Sequence, residues 1–225
     1  FDCGLFMNVT LEHLEFHKTF DQYKNDKANL FRALDEHDHL KIINNIKQTV
    51  PSFAVVNLED LEATYFASQT TKKVIGTTNG VAGRGTVLKK VENIPTVEAK
   101  DLVSSKNSIS FTFESATDRT SEIKETGNSN KIKINAPLPG AFNAYNIMAA
   151  MIAVSGLTGK TFEELSKCVS YLKPITGRMT TIEKGQPFEV IIDYAHTPSS
   201  FETIFPPLKN RCEGKIFALF GSGGE

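Results

Sequence analysis

The sequence has no tryptophan, only three cysteines, no long apolar run and no excess of charge of either sign. No stretch approaches the roughly 20 apolar residues that a membrane-spanning helix needs, so a membrane is not an expected partner. Lys and Arg number 25 against 26 Asp and Glu, a formal net charge of -1. That balance supplies no field to draw the chain onto nucleic acid or an anionic surface, and no nucleic-acid partner is expected. Cys3, Cys168 and Cys212 are widely spaced, form no CxxC pair and are odd in number, which points to a reduced, cytoplasmic setting. A phosphate-cradling glycine loop is also missing. Gly156-Leu157-Thr158-Gly159-Lys160-Thr161 ends like one, but Val154 stands where the pattern requires glycine and a helix rather than a strand precedes it, so a helix–helix turn is expected. Gly76-Thr77-Thr78-Asn79-Gly80 is followed by Val81-Ala82-Gly83 instead of Lys-Ser/Thr and is read as a loop.

What is present is an ordinary globular composition, 40% hydrophobic and 23% charged over 225 residues, enough for one large or two modest domains. Apolar runs bounded by turn residues alternate with segments of helical period, which predicts an α/β fold with a mainly parallel sheet. Strands are expected at Phe1–Asn8, Ser52–Asn57 and Lys73–Thr77. Helices are expected from Thr19 to before His39, over Glu59–Ser68, and over Asn143–Leu157 and Phe162–Leu172, the last with Thr161 as its cap. Between Gly80 and Lys133 short alternating segments such as Ser108–Phe113 suit an antiparallel hairpin region, a β-rich lobe of the same domain. Beyond Pro174 and Gly177 come strands near Thr180–Glu183 and Phe188–Asp193, a helix from Pro198 to Leu208 and a strand at Lys215–Phe220, the expected opening of a Rossmann-like domain. The expected division is 1–176 and 177–225. Because the chain opens directly into a strand and stops inside a glycine-rich turn, it is expected to be a segment of a longer protein, truncated at both ends.

Residues able to carry chemistry gather where strands end, the position at which ligands of open α/β sheets bind. After the first strand comes Asn8-Val9-Thr10-Leu11-Glu12-His13-Leu14-Glu15-Phe16-His17. Imidazole nitrogen and carboxylate oxygen together can hold a divalent metal, although a bare E-H-x-x-x-H reads equally as a solvated helix start. Lys27 reads alone as a solvated helix lysine, like Lys24; Asn143 and Asn146 as helix caps; Arg178 as a surface arginine. Asp193-Tyr194-Ala195-His196 directly after a buried strand is unusual for a turn and favours a functional reading.

Taken in order, these blocks resemble the Mur ligases. The run 8–17 followed by Tyr23-x-x-x-Lys27-x-x-Leu30-Phe31 is similar to T-N-L-x-x-D-H-L-D-Y/F-H and Y-x-x-x-K-x-x-L-F of that family, and the tripeptide-synthetase (MurE-type) branch fits best. Val56-Asn57-x-Glu59-Asp60, Leu138-Pro139-Gly140-Ala141-Phe142-Asn143-Ala144-Tyr145-Asn146, Gly177-Arg178-Met179 and Asp193-Tyr194-Ala195-His196-Thr197-Pro198 agree in the same order, and Phe220-Gly221-Ser222-Gly223-Gly224 resembles the start of the family's glycine turn. Glu12 and Glu15 replace usual aspartates, and Ala141 stands where arginine is common.

The resemblance implies a central ATP-binding domain over 1–176 and the start of the carboxy-terminal domain over 177–225. It implies an ATP- and Mg2+-dependent ligase whose partners are a UDP-N-acetylmuramoyl-dipeptide and an amino acid, joined through an acyl phosphate in peptidoglycan synthesis, in a monomeric cytoplasmic protein. In that family His13 matches a magnesium-binding histidine and Lys27 a carbamylated lysine that orients a second magnesium. Asn143 and Asn146 match nucleotide-contacting positions, Arg178 an arginine on the ATP phosphates, Asp193 the residue that hydrogen-bonds the ribose, and His196 lies in the same nucleotide-facing loop. A folylpolyglutamate- or cyanophycin-type ligase, or a nucleotide-binding module without ligase turnover, are the alternatives.

Overall fold

The computed structural model describes residues 1–79, 94–115 and 131–221. It divides into two compact units, Phe1–Leu172 and Lys173–Glu225. In the first, β1 (Cys3–Phe6) is followed by α1 (Leu14–His17), α2 (Phe20–Arg32), a hairpin of β2 (Leu40–Ile43) and β3 (Ile46–Thr49), then β4 (Phe53–Asn57), α3 (Ala63–Ala67) and β5 (Lys73–Thr78). There follow β6 (Thr96–Ser104), β7 (Ile109–Ser115), β8 (Lys131–Ala136), α4 (Asn143–Thr158) and α5 (Phe162–Val169).

Six of these strands form one sheet in the order β1-β4-β5-β6-β7-β8; the first four are parallel, and β7 and β8 are antiparallel to their neighbours. Residue patterns follow from what covers each strand. On β4, Phe53 and Val55 pack with α4 residues on one face while Ala54 and Val56 pack with α2 and α3 on the other. Covered on both sides, the strand reads as an unbroken apolar run. On β7, buried Ile109, Phe111 and Phe113 alternate with Ser110, Thr112 and Glu114, the pattern of a strand with one covered face. The β-rich stretch therefore extends the parallel sheet by an antiparallel meander rather than standing apart from it; its residues 80–93 and 116–130 lie outside the described residues.

Thr19 caps α2 by accepting the Gln22 N–H at 3.1 Å, and the buried face of that helix is Tyr23, Ala28 and Phe31, with Phe66 against Phe31 and Phe6. The turn between α4 and α5 is the helix–helix turn expected from sequence: Gly159 takes a left-handed conformation (φ 71°) and Thr161 opens α5 with a reciprocal capping box to Glu164.

Several expectations are corrected. Gly76, Thr77 and Thr78 belong to β5 and are buried, not in a loop. The helix read over Glu59–Ser68 starts only at Ala63, because the Asn57 and Asp60 side chains accept the Glu59 and Glu62 N–H groups and hold 57–62 as turns. The 40–49 hairpin had no counterpart in the sequence reading; its turn residues Asn44 and Asn45 both have positive φ, the requirement of a two-residue hairpin turn.

The second unit contains β9 (Thr180–Ile182) and β10 (Val190–Ile192), paired antiparallel, and α6 (Pro198–Arg211), opened by a Thr197–Ser200 capping box. The apolar run 215–220 pairs with no strand among the described residues. Of the glycine-rich turn, residues 222–224 lie outside the described residues. Among the described residues no helix is long and apolar enough to cross a membrane.

Candidate functional site

In the first unit the parallel strands β1, β4 and β5 end in the segments 7–13, 57–62 and 79, so these lie along one edge of the sheet. Tyr23, buried on the first turn of α2, gathers the polar groups there. The Lys27 Nζ lies 4.8 Å from the centre of its ring, the His17 ring 4.9 Å away and the His13 ring 5.9 Å away in an edge-on arrangement. Tyr23 and Lys27 meet because they are four residues apart on one helix face. His13 is held in the left-handed conformation (φ 57°), uncommon for a non-glycine residue, directly before α1.

The charges around this ring are unequal. Glu12 and Glu15 place carboxylate oxygens 3.9 and 3.6 Å from the two His13 ring nitrogens. His17 is tied through Nδ1 to Asp26 at 2.8 Å, and Asp26 also accepts the Gln22 amide at 2.7 Å. With Nδ1 donating to a carboxylate, the His17 Nε2 carries the free lone pair. Lys24, which looked interchangeable with Lys27, is not. Its ammonium pairs with Glu62 at 2.9 Å and Asp21 at 3.4 Å and lies over the Tyr65 ring; the Glu62 hydrogen bond raises its pKa. Lys27 has no carboxylate partner among the described residues.

A divalent cation fits this donor set in part. The imidazole of His13 beside two carboxylates is a suitable ligand environment, yet among the described residues no group of three His, Cys, Asp or Glu side chains could hold an ion. Magnesium is commonly held by one or two protein groups, with phosphate oxygens and water completing its octahedron, and His13 with Glu12 and Glu15 could supply such groups. A Lys27 ammonium would repel the ion; converted to a carbamate it would attract it.

The 57–62 turns contact every neighbour on this edge. Asn57 Nδ2 donates to the Met7 carbonyl at 2.9 Å, and the Val9 N–H donates to Asp60 Oδ2 at 3.3 Å. Glu59 accepts the Thr78 hydroxyl and the Asn79 N–H. Burial raises the pKa of Asp60 despite the N–H groups it accepts, and burial with the Glu59 charge raises that of Tyr145 on α4.

Asn143 and Asn146 lie in the first turn of α4, but neither caps an N–H of the helix. Asn143 donates to the Pro139 carbonyl at 2.6 Å and accepts from Asn146 at 3.0 Å. The capping alternative for these asparagines is thereby set aside.

In the second unit Asp193 spans two loops: Oδ2 accepts the Met179 N–H and Oδ1 the Ala195 N–H, both at 2.7 Å. The Arg178 guanidinium lies 4.6 Å from the Tyr194 ring centre, and His196 packs edge-on against the same ring with Nδ1 donating to the Tyr194 carbonyl at 2.8 Å. So Arg178, Asp193 and His196 converge within one unit, and His13 with Lys27 within the other. The sequence offers Tyr23 only as part of the frame around Lys27, and Tyr194 as one of the strand-end residues that favour a functional reading, without a role for either ring; the i, i+4 spacing of Tyr23 to Lys27 is the signal that could have found the first.

Residues 1–154 match the Mur ligase middle domain and residues 177–225 the Mur ligase, glutamate ligase domain. The UDP-N-acetylmuramyl-tripeptide synthetase of Treponema denticola is 45% identical over 228 residues, an alignment covering 100% of this chain and 39% of that protein. The synthetase of the same name from Treponema pallidum is 40% identical over 100% of this chain and 42% of its own length. Among solved structures, MurF from Acinetobacter baumannii superposes with a TM-score of 0.63 at 16% identity, covering 90% of this chain and 36% of that one, a likeness of fold. The chain thus spans about two fifths of the length of the curated relatives it matches. With a collinear match to two domain models and relatives at this identity along its whole length, the chain belongs to the Mur ligase family.

Proposed function

We propose that the protein of which this chain is part is an ATP-dependent acid–amino-acid ligase. It adds the third amino acid to UDP-N-acetylmuramoyl-L-alanyl-D-glutamate in the cytoplasm, as a monomer. The observation that carries this reading is the Tyr23 ring, against which His13 and Lys27, the latter without a carboxylate partner among the described residues, lie together at the carboxyl edge of a parallel sheet. When bound, ATP and Mg2+ supply the phosphoryl group that makes the substrate carboxylate a competent electrophile and neutralise the charge that develops.

The residues of this chain hold and orient. His13 offers an imidazole nitrogen to a metal ion. Lys27, as the adduct of its amine with carbon dioxide, presents an anion in place of a cation. Asn143 and Asn146 offer amide groups at the start of α4, where the helix N-terminus also favours anions. Arg178 on the Tyr194 ring meets the phosphates; Asp193 and His196 take the nucleotide side of the same loop. Names of the Treponema relatives favour the tripeptide synthetase over a polyglutamylating ligase.

The test is phosphate release by the intact parent protein, dependent on both ATP and an amino acid, with UDP-muramoyl-dipeptide as acceptor. Lys27→Ala is expected to lose about a hundredfold or more in turnover, the scale of removing one pre-organised charge-stabilising group. A short carboxylic acid is expected to restore part of it. Nucleotide binding without phosphate release by the wild type, with any amino acid, would favour the nucleotide-binding module instead.

A further inference from the structure

The block Val56-Asn57-Leu58-Glu59-Asp60 is part of the family resemblance, yet no step of the chemistry above uses it. Its surroundings give it a role. Within six residues, four polar side chains reach three different segments. Asn57 bonds the Met7 carbonyl, Asp60 the Val9 N–H, Glu59 the Thr78 hydroxyl and Asn79 N–H, and Glu62 the Lys24 ammonium. The first two grip the backbone on either side of Asn8, in the segment that leads into His13. The last grips α2 one turn before Lys27. Each side chain of the first pair also fixes its own turn, Asn57 Oδ1 accepting the Glu59 N–H at 3.1 Å and Asp60 Oδ1 the Glu62 N–H at 2.9 Å. These turns are rigid anchors because β4, from which they grow, is buried on both faces.

We propose that Asn57 and Asp60 are positioning residues for the metal-binding edge: they fix the Met7–Val9 backbone, and through it the left-handed turn that presents His13. This rests on the ligase reading. Positioning matters here because a His13 displaced by about an ångström no longer offers its nitrogen at metal-ligand distance, and magnesium tolerates little distortion of its octahedron. Leu58, between the two, is buried and packs into the core, so the turns are seated from below as well.

Two isosteric exchanges isolate the effect. Asp60→Asn keeps an oxygen for the Glu62 N–H but sets an amide NH2 against the Val9 N–H. Asn57→Asp keeps the oxygen for the Glu59 N–H but sets a carboxylate oxygen against the Met7 carbonyl. Each breaks one tie to the His13 loop and spares the local turn. Arg32→Met is the control: it removes bonds to Gln69 and Tyr65 and to Asn25 and Asn29 within α2, and touches neither tie to the Met7–Val9 backbone. In the intact parent protein, Mn2+ binding is measured by electron paramagnetic resonance with a non-hydrolysable ATP analogue present, alongside thermal unfolding.

Both exchanges are expected to weaken Mn2+ binding about tenfold, with the KM for the amino acid unchanged; Arg32→Met is expected to lower the unfolding temperature and leave Mn2+ binding as in the wild type. Mn2+ affinity within twofold of wild type in both exchanges overturns the proposal, as does an equal loss in Arg32→Met. A wild type that binds no Mn2+ would instead overturn the ligase reading, and this inference with it.

Discussion

Gly76 sits on β5 where a methyl group has no room: a Cβ there would overlap Leu58 Cδ1 and lie 2.8 Å from its Cγ. Leu58 is itself buried, so relief requires movement of the 57–62 turns. Gly76→Ala is expected to cost about 1–3 kcal/mol, the usual range for overpacking a core, as read from urea unfolding. Asp35 gives a pH-dependent counterpart at the surface. Burial alone would raise its pKa, but the Thr71 N–H and the Thr70 and Thr71 hydroxyls, with Lys72 nearby, outweigh burial and lower it. A carboxyl lowered in the folded state contributes stability above its unfolded pKa and loses it as the pH falls through the folded one. The unfolding temperature of wild type relative to Asp35→Asn is therefore expected to be higher at neutral pH and to converge below about pH 4, the ordinary Asp range. A constant difference from pH 7 to pH 3 would contradict this. At this scale His13 and Lys27 enter through the family resemblance, since alone the one reads equally as a helix start and the other as a solvated helix lysine. The roles of Tyr23 and Asp60 were not legible, because a ring shared by three side chains and a bond across 51 positions are properties of the folded chain.

Among elements, the contrast is between strands seated in the core and the β2–β3 hairpin. Every residue of both hairpin strands is exposed, including Ile42 and Ile46. The hairpin is held at its foot, where buried His39 has its ring nitrogens 3.2 Å from Asp2 Oδ1 and 2.6 Å from the Leu34 carbonyl and accepts the Val50 N–H on its own carbonyl. Ile42→Ala is expected to change stability by no more than about 0.5 kcal/mol, as exposed substitutions do, whereas Ile75→Ala on β5 is expected to cost about 2–5 kcal/mol. Equal losses in chemical denaturation would mean that the hairpin face is covered. The same contrast explains which elements could be read. The β4 run and the α4 helix announce themselves through continuous apolar residues because sheet and helix bury each other. The hairpin carries no such pattern, since among the described residues nothing packs on its strands. The start of α3 was misplaced because two side-chain turns outcompete helix over 57–62, a local competition that helical spacing alone does not reveal.

For the molecule as a whole, the chain divides into two units and spans about two fifths of the length of the curated relatives it matches. The α/β class, the parallel sheet and an antiparallel hairpin region were readable from the alternation of apolar runs, helical segments and short alternating strands, while the joining of β7 and β8 to the edge of the parallel sheet was not. The proposed ligase activates a carboxylate by phosphoryl transfer rather than hydrolysing ATP idly. The most direct measurement supplies the intact protein with UDP-muramoyl-dipeptide whose terminal glutamate carboxylate is labelled with oxygen-18, together with ATP, Mg2+ and an amino acid, and follows the released phosphate by mass spectrometry. One labelled oxygen in each phosphate released is the predicted result, because the carboxylate oxygen that attacks phosphorus leaves with it when the amine forms the amide; unlabelled phosphate would contradict the account.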